Sequence, residues 1–447
     1  MTRDHYGLST RTAITYSGSP APDPAATDPA TTDPATRDRA ATDPGGTAGR
    51  LARWRFWAVA YTLLILLTGT NLPTPLYHGY AERFGFSPLT VTLIFAAYAA
   101  VLIPSLLVAG PLADAVGGRA ALIPAVALAA LGSLAFALAE GTAWLYVARV
   151  LQGVALGAAS GALTAALSAL EPRGRRHRAA LVSTAASMGG LGLGPLLAGL
   201  IAQYGPAPRV LPFIVEIILL GPAMAVVATL PAPRSRMPWQ PRRPQIPAQM
   251  RAVFAASAAP AFLAFAVMGL FLTLIPTYVA TLARSGNLLL AGAAVALMLA
   301  CSVLAQFVGY GTPARTLQLR GLPLLAAGLA LLALTRPIAS LPLLLAAAAV
   351  AGAGQGLVFL GGLTAVNHHA PPERHADVIS TFYVVIYLGV SLPVVGVGFL
   401  TTVVGLLPAV QWFATVAAVT AALAFLALRA RPASELPSPP RVAGAPG

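Results

Sequence analysis

From Trp54 onward the chain alternates long runs of apolar residues with short polar turns, and it does so twelve times. The runs cover approximately 56–77, 88–109, 119–139, 142–168, 179–203, 209–230, 255–281, 287–310, 320–336, 340–364, 377–400 and 405–428. Each is close to the roughly 20 residues that a helix needs to cross a bilayer. Several contain Pro and Gly, which membrane helices tolerate better than soluble ones. The pattern predicts an all-α integral membrane protein of twelve transmembrane helices.

Composition agrees: 57% of the 447 residues are hydrophobic and only 9% are charged, against about 25% charged in soluble domains. The net charge of +14 comes from arginine alone, since there is no lysine. These arginines lie in the turns, so they report topology and not a nucleic-acid surface. With both termini inside, nineteen arginines from residue 50 onward fall on the cytoplasmic side and four (Arg83, Arg209, Arg284, Arg336) on the other. That asymmetry predicts a multi-pass protein of the plasma membrane with cytoplasmic termini. Residues 1–50 repeat Thr-Asp-Pro-Ala units; such a composition cannot bury a core and is expected to be a disordered tail. It has no apolar signal-peptide core. A second disordered tail is expected over 431–447.

The basic, proline-rich stretch 231–250 reads as a cytoplasmic linker dividing the spans into six-helix halves at 51–230 and 251–430. The halves echo each other. Arg149-Val-Leu-Gln152-Gly153 is matched 203 residues later by Gly352-Ala-Gly-Gln355-Gly356. Val182-Ser183-Thr184 is matched 197 residues later by Ile379-Ser380-Thr381. Such internal repeats are characteristic of secondary transporters that rock around a midplane site.

Few side chains inside the spans carry chemistry. Ionisable residues are costly there and become functional candidates by default. Arg149 and Glu216 each lie about seven residues into outside-to-inside spans, hence roughly 10 Å below the outer surface at 1.5 Å per residue. Equal depth permits an ion pair. Alternatively, Glu216 faces outward water and Arg149 is satisfied by backbone carbonyls. The first span ends Thr70-Asn71-Leu-Pro73-Thr-Pro75-Leu-Tyr77, where two prolines break the helix at a point able to flex. Asn71, Gln152, Gln355 and Tyr383 are candidate cavity residues, with interhelical hydrogen bonding the alternative for Asn71. The single Cys301 excludes an internal disulfide. The six histidines show no ligand spacing, so neither metal nor cofactor is expected. Without lysine there is no phosphate-loop lysine, and no nucleophile constellation appears, so an enzyme is not expected.

Three stretches carry a resemblance to a family. Gly110-Pro-Leu-Ala-Asp114-Ala-Val-Gly117-Gly118-Arg119, read as a polar turn after the second span, resembles the helix 2–3 loop of major facilitator superfamily transporters. Arg149-x-x-Gln152-Gly153 resembles the superfamily's R-x-x-Q-G pattern. The fifth span, with Gly190, Gly194, Pro195, Ala198 and Gly199, resembles the G-x-x-x-G-P-x-x-G-G motif of its drug antiporters, with Ala198 replacing one glycine. The resemblance implies the twelve-helix major facilitator fold in two pseudo-symmetric halves. It implies a latch at Gly110, Asp114, Gly117 and Arg119, where the acid engages the start of helix 11. Ala115 and Gly118 stand where basic residues are usual. It associates Arg149 with proton transfer. Many such antiporters carry an acid in the first helix, and here there is none, so proton coupling is expected to rest on Arg149, Glu216 and Asp114. The function this implies is proton-coupled antiport exporting a small amphipathic or hydrophobic compound from a monomer in the bilayer. A symporter or facilitator importing a metabolite is the alternative, and a non-transporting receptor the remote one.

Overall fold

The computed structural model describes residues 47–230 and 245–430. The two expected tails and most of the linker lie outside the described residues. The described residues from Leu51 onward form one compact unit. Among the described residues there are no strands, and twelve spans are long and apolar enough to cross a membrane. Fourteen α-helices build them: α1 (Thr47–Asn71), α2 (Tyr77–Phe84), α3 (Pro88–Val116), α4 (Gly118–Ala137), α5 (Thr142–Leu170), α6 (Arg176–Tyr204), α7 (Leu211–Ala228), α8 (Arg251–Thr273), α9 (Ile275–Ala283), α10 (Leu288–Gly309), α11 (Ala314–Ile338), α12 (Leu341–His369), α13 (His375–Val404) and α14 (Leu406–Ala430).

The first and seventh spans are each made of two helices because proline removes a backbone donor near their ends. Pro73 and Pro75 stop α1, and a 3-10 turn over Thr74–Leu76 leads into α2. Pro276 sits at the start of α9, just past the break at Leu274. Both spans are enclosed on every side around these breaks. Residues 65–77 and, 199 positions later, 264–276 are buried without exception. A helix apolar all round belongs in the middle of a bundle, not at its rim.

Two helix pairs join the early spans to the late ones: α6 with α10, and α3 with α13. Side chains cross at the second pair. Phe95 of α3 enters the core formed mainly by residues 250–421, and Tyr387 of α13 rests on the core formed by residues 56–230. Backbones approach closely at the ends carrying Arg209 and Arg284. A Cβ on Gly292 would collide with the Pro195 carbonyl, and one on Gly398 with the Thr92 side chain. The bundle is therefore tightly shut at that end.

The turn expected over Gly110–Arg119 is shorter than its sequence suggests. Helix α3 runs on to Val116, carried by Leu112, Ala113, Ala115 and Val116, and Pro111 does not interrupt it. The reversal is confined to Gly117, whose φ of 95° only glycine adopts readily. Helix α4 starts on the next residue. At the arginine-rich end, the α5–α6 turn is organised by Glu171. Its Oε2 accepts the backbone N–H groups of Arg173 and Arg175 at 2.8 and 2.7 Å, and Oε1 lies 3.3 Å from the Arg178 guanidinium. Arg178 in turn stacks over Phe56 and Trp57 of α1. Burial alone would push the Glu171 carboxyl up, but the Arg175 and Arg173 amides and the Arg178 charge hold it below its ordinary range.

The packing at Gly292 and the clamp at Glu171 can each be tested by substitution. Gly292→Val should destabilise the protein by about 1–3 kcal/mol through forced separation of α6 and α10. Gly221→Ala, where an added Cβ meets nothing within 4 Å, should cost nothing or stabilise by up to about 1 kcal/mol. Thermal unfolding in detergent compares the two. The Glu171 clamp depresses a carboxylate, so its contribution is complete above the unfolded value of about 4.3 and is lost as pH falls through the lower folded value. Glu171→Gln should therefore flatten the stability profile in that acid window, as read by unfolding midpoints across a pH series.

Candidate functional site

The polar centre of the early spans is built around the break in the first one. In an α-helix the N–H of residue 73 would bond the Gly69 carbonyl, but Pro73 has none, and that carbonyl keeps only a long 3.3 Å bond from the Leu72 N–H. Thr70 likewise loses its partner where the helix stops. Inside a membrane such carbonyls need another donor. Helix α5 supplies both: Gln152 Nε2 donates to the Gly69 carbonyl at 3.1 Å, and Arg149 Nη1 to the Thr70 carbonyl at 2.6 Å. Arg149 and Gln152 are one turn apart, and Arg149 Nη1 also donates to Gln152 Oε1 at 3.1 Å. The R-x-x-Q spacing therefore matches two consecutive carbonyls of a proline-broken helix.

Arg149 is fully buried. Its Nε donates to the Tyr77 hydroxyl at 2.7 Å, and the rings of Tyr77, Phe95, Tyr98 and Phe136 surround its Cζ at 5.5–5.6 Å. Aromatic faces attract a desolvated cation by up to about 2 kcal/mol. Nη2 has no hydrogen-bond partner. Among the described residues, no carboxylate lies within ion-pair distance of it.

Glu216 of α7 is buried beside this cluster, 3% exposed, so it does not face water. Its Oε2 accepts from Ser133 Oγ of α4 at 2.5 Å. Its carboxyl fills the space where a side chain at position 69 would stand, so any larger residue there would displace the carboxyl. Glu216, Gln152 and Thr70 line one small cavity of about 10 Å³ between α1, α4, α5 and α7, about the size of one water. Arg149 and Glu216 are thus linked through Gln152 and Gly69, without the direct ion pair that their equal depth allows. Among the described residues they are the only buried charged side chains within a membrane-length helix.

The other expected residues separate. Asn71 is buried and donates to the Leu191 carbonyl at 3.1 Å, tying α1 to α6. Gln355 is buried and accepts from Ser302 Oγ at 2.5 Å, with Gln306 donating to the same hydroxyl at 3.2 Å. Tyr383 keeps a half-buried ring, beside Phe382 and Tyr387. In the fifth span, Gly190 and Gly194 bring α6 against the Leu64 and Thr68 carbonyls of α1, while Gly199 abuts Leu288 at the start of α10. Pro195 presents its carbonyl to Gly292. Arg119 is exposed; the side chain of Asp114, and with it the expected latch, lies outside what is described.

Gly69, Ser133, Tyr77 and the three other rings of the cage have no motif of their own. The one usable signal is Pro73, which marks Gly69 as a carbonyl in need of a donor. In the second half the corresponding place holds no charge. Tyr278, 201 positions after Tyr77, bonds Thr335 at 2.7 Å. Gly352, in the place of Arg149, presses on the Met298 carbonyl.

Comparison with known proteins places this arrangement. The family model for the Major Facilitator Superfamily matches residues 58–338. The "Putative multidrug resistance protein MdtD" of Escherichia coli O6:K15:H31 (strain 536 / UPEC) is 34% identical over 154 residues, 34% of this chain and 32% of that protein. Its namesake in Salmonella newport (strain SL254) is 30% identical over 181 residues, 40% of this chain and 38% of that one. The matched stretch thus spans about a third of the length of these curated relatives. The crystal structure of a single-residue mutant of the nucleoside transporter NupG superposes with a TM-score of 0.66 at 13% identity, covering 84% of this chain and 99% of that one. An inward-facing, unoccupied bacterial homologue of the human lysosomal transporter Spinster superposes at 0.64 with 14% identity, covering 85% and 97%. These two likenesses concern the fold.

Replacing Gln152 by Leu should cost about 1 kcal/mol, because the Gly69 carbonyl is left with only the long 3.3 Å bond from the Leu72 N–H in an apolar interior. Pro73→Ala restores an N–H at the position from which a helix would serve that carbonyl. The Gln152→Leu/Pro73→Ala pair should therefore recover part of the loss, and thermal unfolding of the two single variants and the double variant reads the non-additivity.

Proposed function

As the chain belongs to the Major Facilitator Superfamily, we propose that it works as a proton-coupled antiporter, exporting a small amphipathic or hydrophobic compound by alternating access. The observation that carries this reading is the burial of Arg149 and Glu216, the only buried charged side chains within the spans among the described residues. A buried charge is costly unless it is used, and a proton is the smallest species that can change the balance of these two. Arg149, Glu216 and Asp114 are the coupling candidates. The direction of transport draws on the antiporter-type glycines of α6 and on the printed name of the MdtD relatives. The half-buried aromatic rings at Tyr383 and Tyr387 suit an apolar or aromatic solute better than a phosphorylated one.

On the arginine asymmetry of its loops we place both termini on the cytoplasmic side, and we propose that the protein works as a monomer in the plasma membrane. The two six-helix halves, 51–230 and 251–430, act as the bodies that rock against each other. A facilitator is the second reading, favoured by one feature: Asn71 stands in the first span, where an acid would otherwise be expected.

The test is flux in proteoliposomes under an imposed pH gradient, with tetraphenylphosphonium as a lipophilic cation and a neutral aromatic compound as its counterpart. Antiport predicts uphill movement of a probe driven by the proton gradient and lost in Arg149→Ala. Movement only down the probe's own gradient, indifferent to pH, establishes the facilitator instead.

A further inference from the structure

The break in the first span and the buried carboxyl beside it form a single device. Gly69 belongs to both. Its carbonyl is held by Gln152 because Pro73 cannot serve it, and its missing side chain makes the space that the Glu216 carboxyl fills. The next carbonyl, Thr70, is held by Arg149. Tyr77, on the far side of the break, is also bonded to Arg149. The guanidinium therefore clamps the two ends of a broken helix together, and one of its nitrogens remains without a partner.

We propose that Glu216, seated on Ser133 and Gly69, is the proton-binding site of this chain, and that its charge sets how firmly Arg149 and Gln152 clamp the break at Leu72–Pro73. This rests on the proton-coupled reading above and selects Glu216 from its candidates. The groups that face the site leave few others to act. Helix α1 presents no charged residue over 65–71, and α2 presents Tyr77. Helix α3 presents Tyr98, α4 presents Ser133, α5 presents Arg149 with Gln152, and α6 presents only the apolar Leu197 and Ile201. Among these groups Arg149 is the one cation.

With Glu216 protonated, Arg149 is satisfied by uncharged partners: two oxygens, a hydroxyl and four ring faces. On deprotonation the carboxyl O–H bond breaks, its electron pair stays on Glu216 and the proton passes to water. The cluster then contains an anion with a single hydroxyl donor and a cation with a spare N–H. Their attraction pulls the guanidinium, and Gln152 with it, toward Glu216. Every step in that direction weakens the bonds to the Gly69 and Thr70 carbonyls and draws on Tyr77. Proton release thus loosens the hinge, and proton binding tightens it.

Infrared titration and hydrogen exchange of the lipid-reconstituted protein, with no transported solute present, test this directly. Wild type should show a protonated-carboxyl band that titrates. The amides of 72–84 should exchange about tenfold faster, beyond the intrinsic pH effect, once the band is lost, the equivalent of one unit of proton linkage. Glu216→Gln should remove the band and hold the exchange at its protected, pH-independent level, whereas Asp114→Asn should leave both as in wild type. Ser133→Ala, which keeps the carboxyl, should move the band to the higher frequency of an unbonded acid; it serves equally if the Gln variant does not fold. Persistence of the band in Glu216→Gln, or an unmoved band in Ser133→Ala, overturns the site. Loss of the band with unchanged pH-dependent exchange over 72–84 overturns the hinge. Either result leaves the antiport reading standing if flux in proteoliposomes still follows the pH gradient, whereas flux indifferent to pH removes that reading whatever the band does.

Discussion

A carbonyl short of donors is hard to accommodate in a hydrocarbon interior, and the first span of this protein creates two in succession, Gly69 keeping only a 3.3 Å bond from the Leu72 N–H. Pro73 withdraws the partner of Gly69, and the ensuing 3-10 turn withdraws that of Thr70. Much of the early half follows from repairing this. Helix α5 must come close enough for Gln152 and Arg149 to reach across, so Gly153 and Gly157 let it pack directly on the α3 backbone. Arg149, once buried for this purpose, needs its own charge accommodated, and four aromatic rings from α2, α3 and α4 converge on it. Glu216 completes the cluster from α7.

The two halves share a scaffold and differ in charge. Buried runs, proline breaks and glycine contacts recur at offsets near 200 residues. In the late half, however, Tyr278–Thr335 and Ser302–Gln355–Gln306 are neutral hydrogen bonds. Neutral pairs do not change with pH in the physiological range, and among the described residues the buried charges within the spans lie in the early half alone. On the proton-coupled reading proposed here, asymmetry of this kind would let one half respond while the other provides a surface to move against, along α6–α10 and α3–α13.

The spans were legible in the sequence because each is a continuous apolar stretch bounded by charge, a local property that needs no knowledge of neighbours. The depth of Arg149 and Glu216 was legible for the same reason. Their partners were not. Ser133 is one serine in an apolar helix, and the rings at Tyr77, Phe95, Tyr98 and Phe136 read as ordinary core aromatics until three helices fold around one guanidinium. The carbonyl partner of Arg149 was among the alternatives that its type allowed, whereas the ion pair allowed by equal depth does not form, the guanidinium being bonded to Thr70, Tyr77 and Gln152 and the carboxyl to Ser133. The turn after the second span was read too long, since Gly and Pro at 110–111 look like punctuation although the helix-forming residues beyond them carry α3 to Gly117.

The place of the acid has a mechanical consequence on the reading proposed here. A carboxylate in the first span would face the same central space as the transported solute, and proton and solute would compete by direct contact. Asn71 occupies that region instead and is committed to the Leu191 carbonyl. Glu216 approaches from α7, behind the first span, and touches its backbone at Gly69. A proton there has no contact with the solute and acts on the helix that the solute passes. Coupling would then run through the strength of two backbone hydrogen bonds, which sets no demand on the charge of the cargo and is compatible with neutral compounds as well as cations.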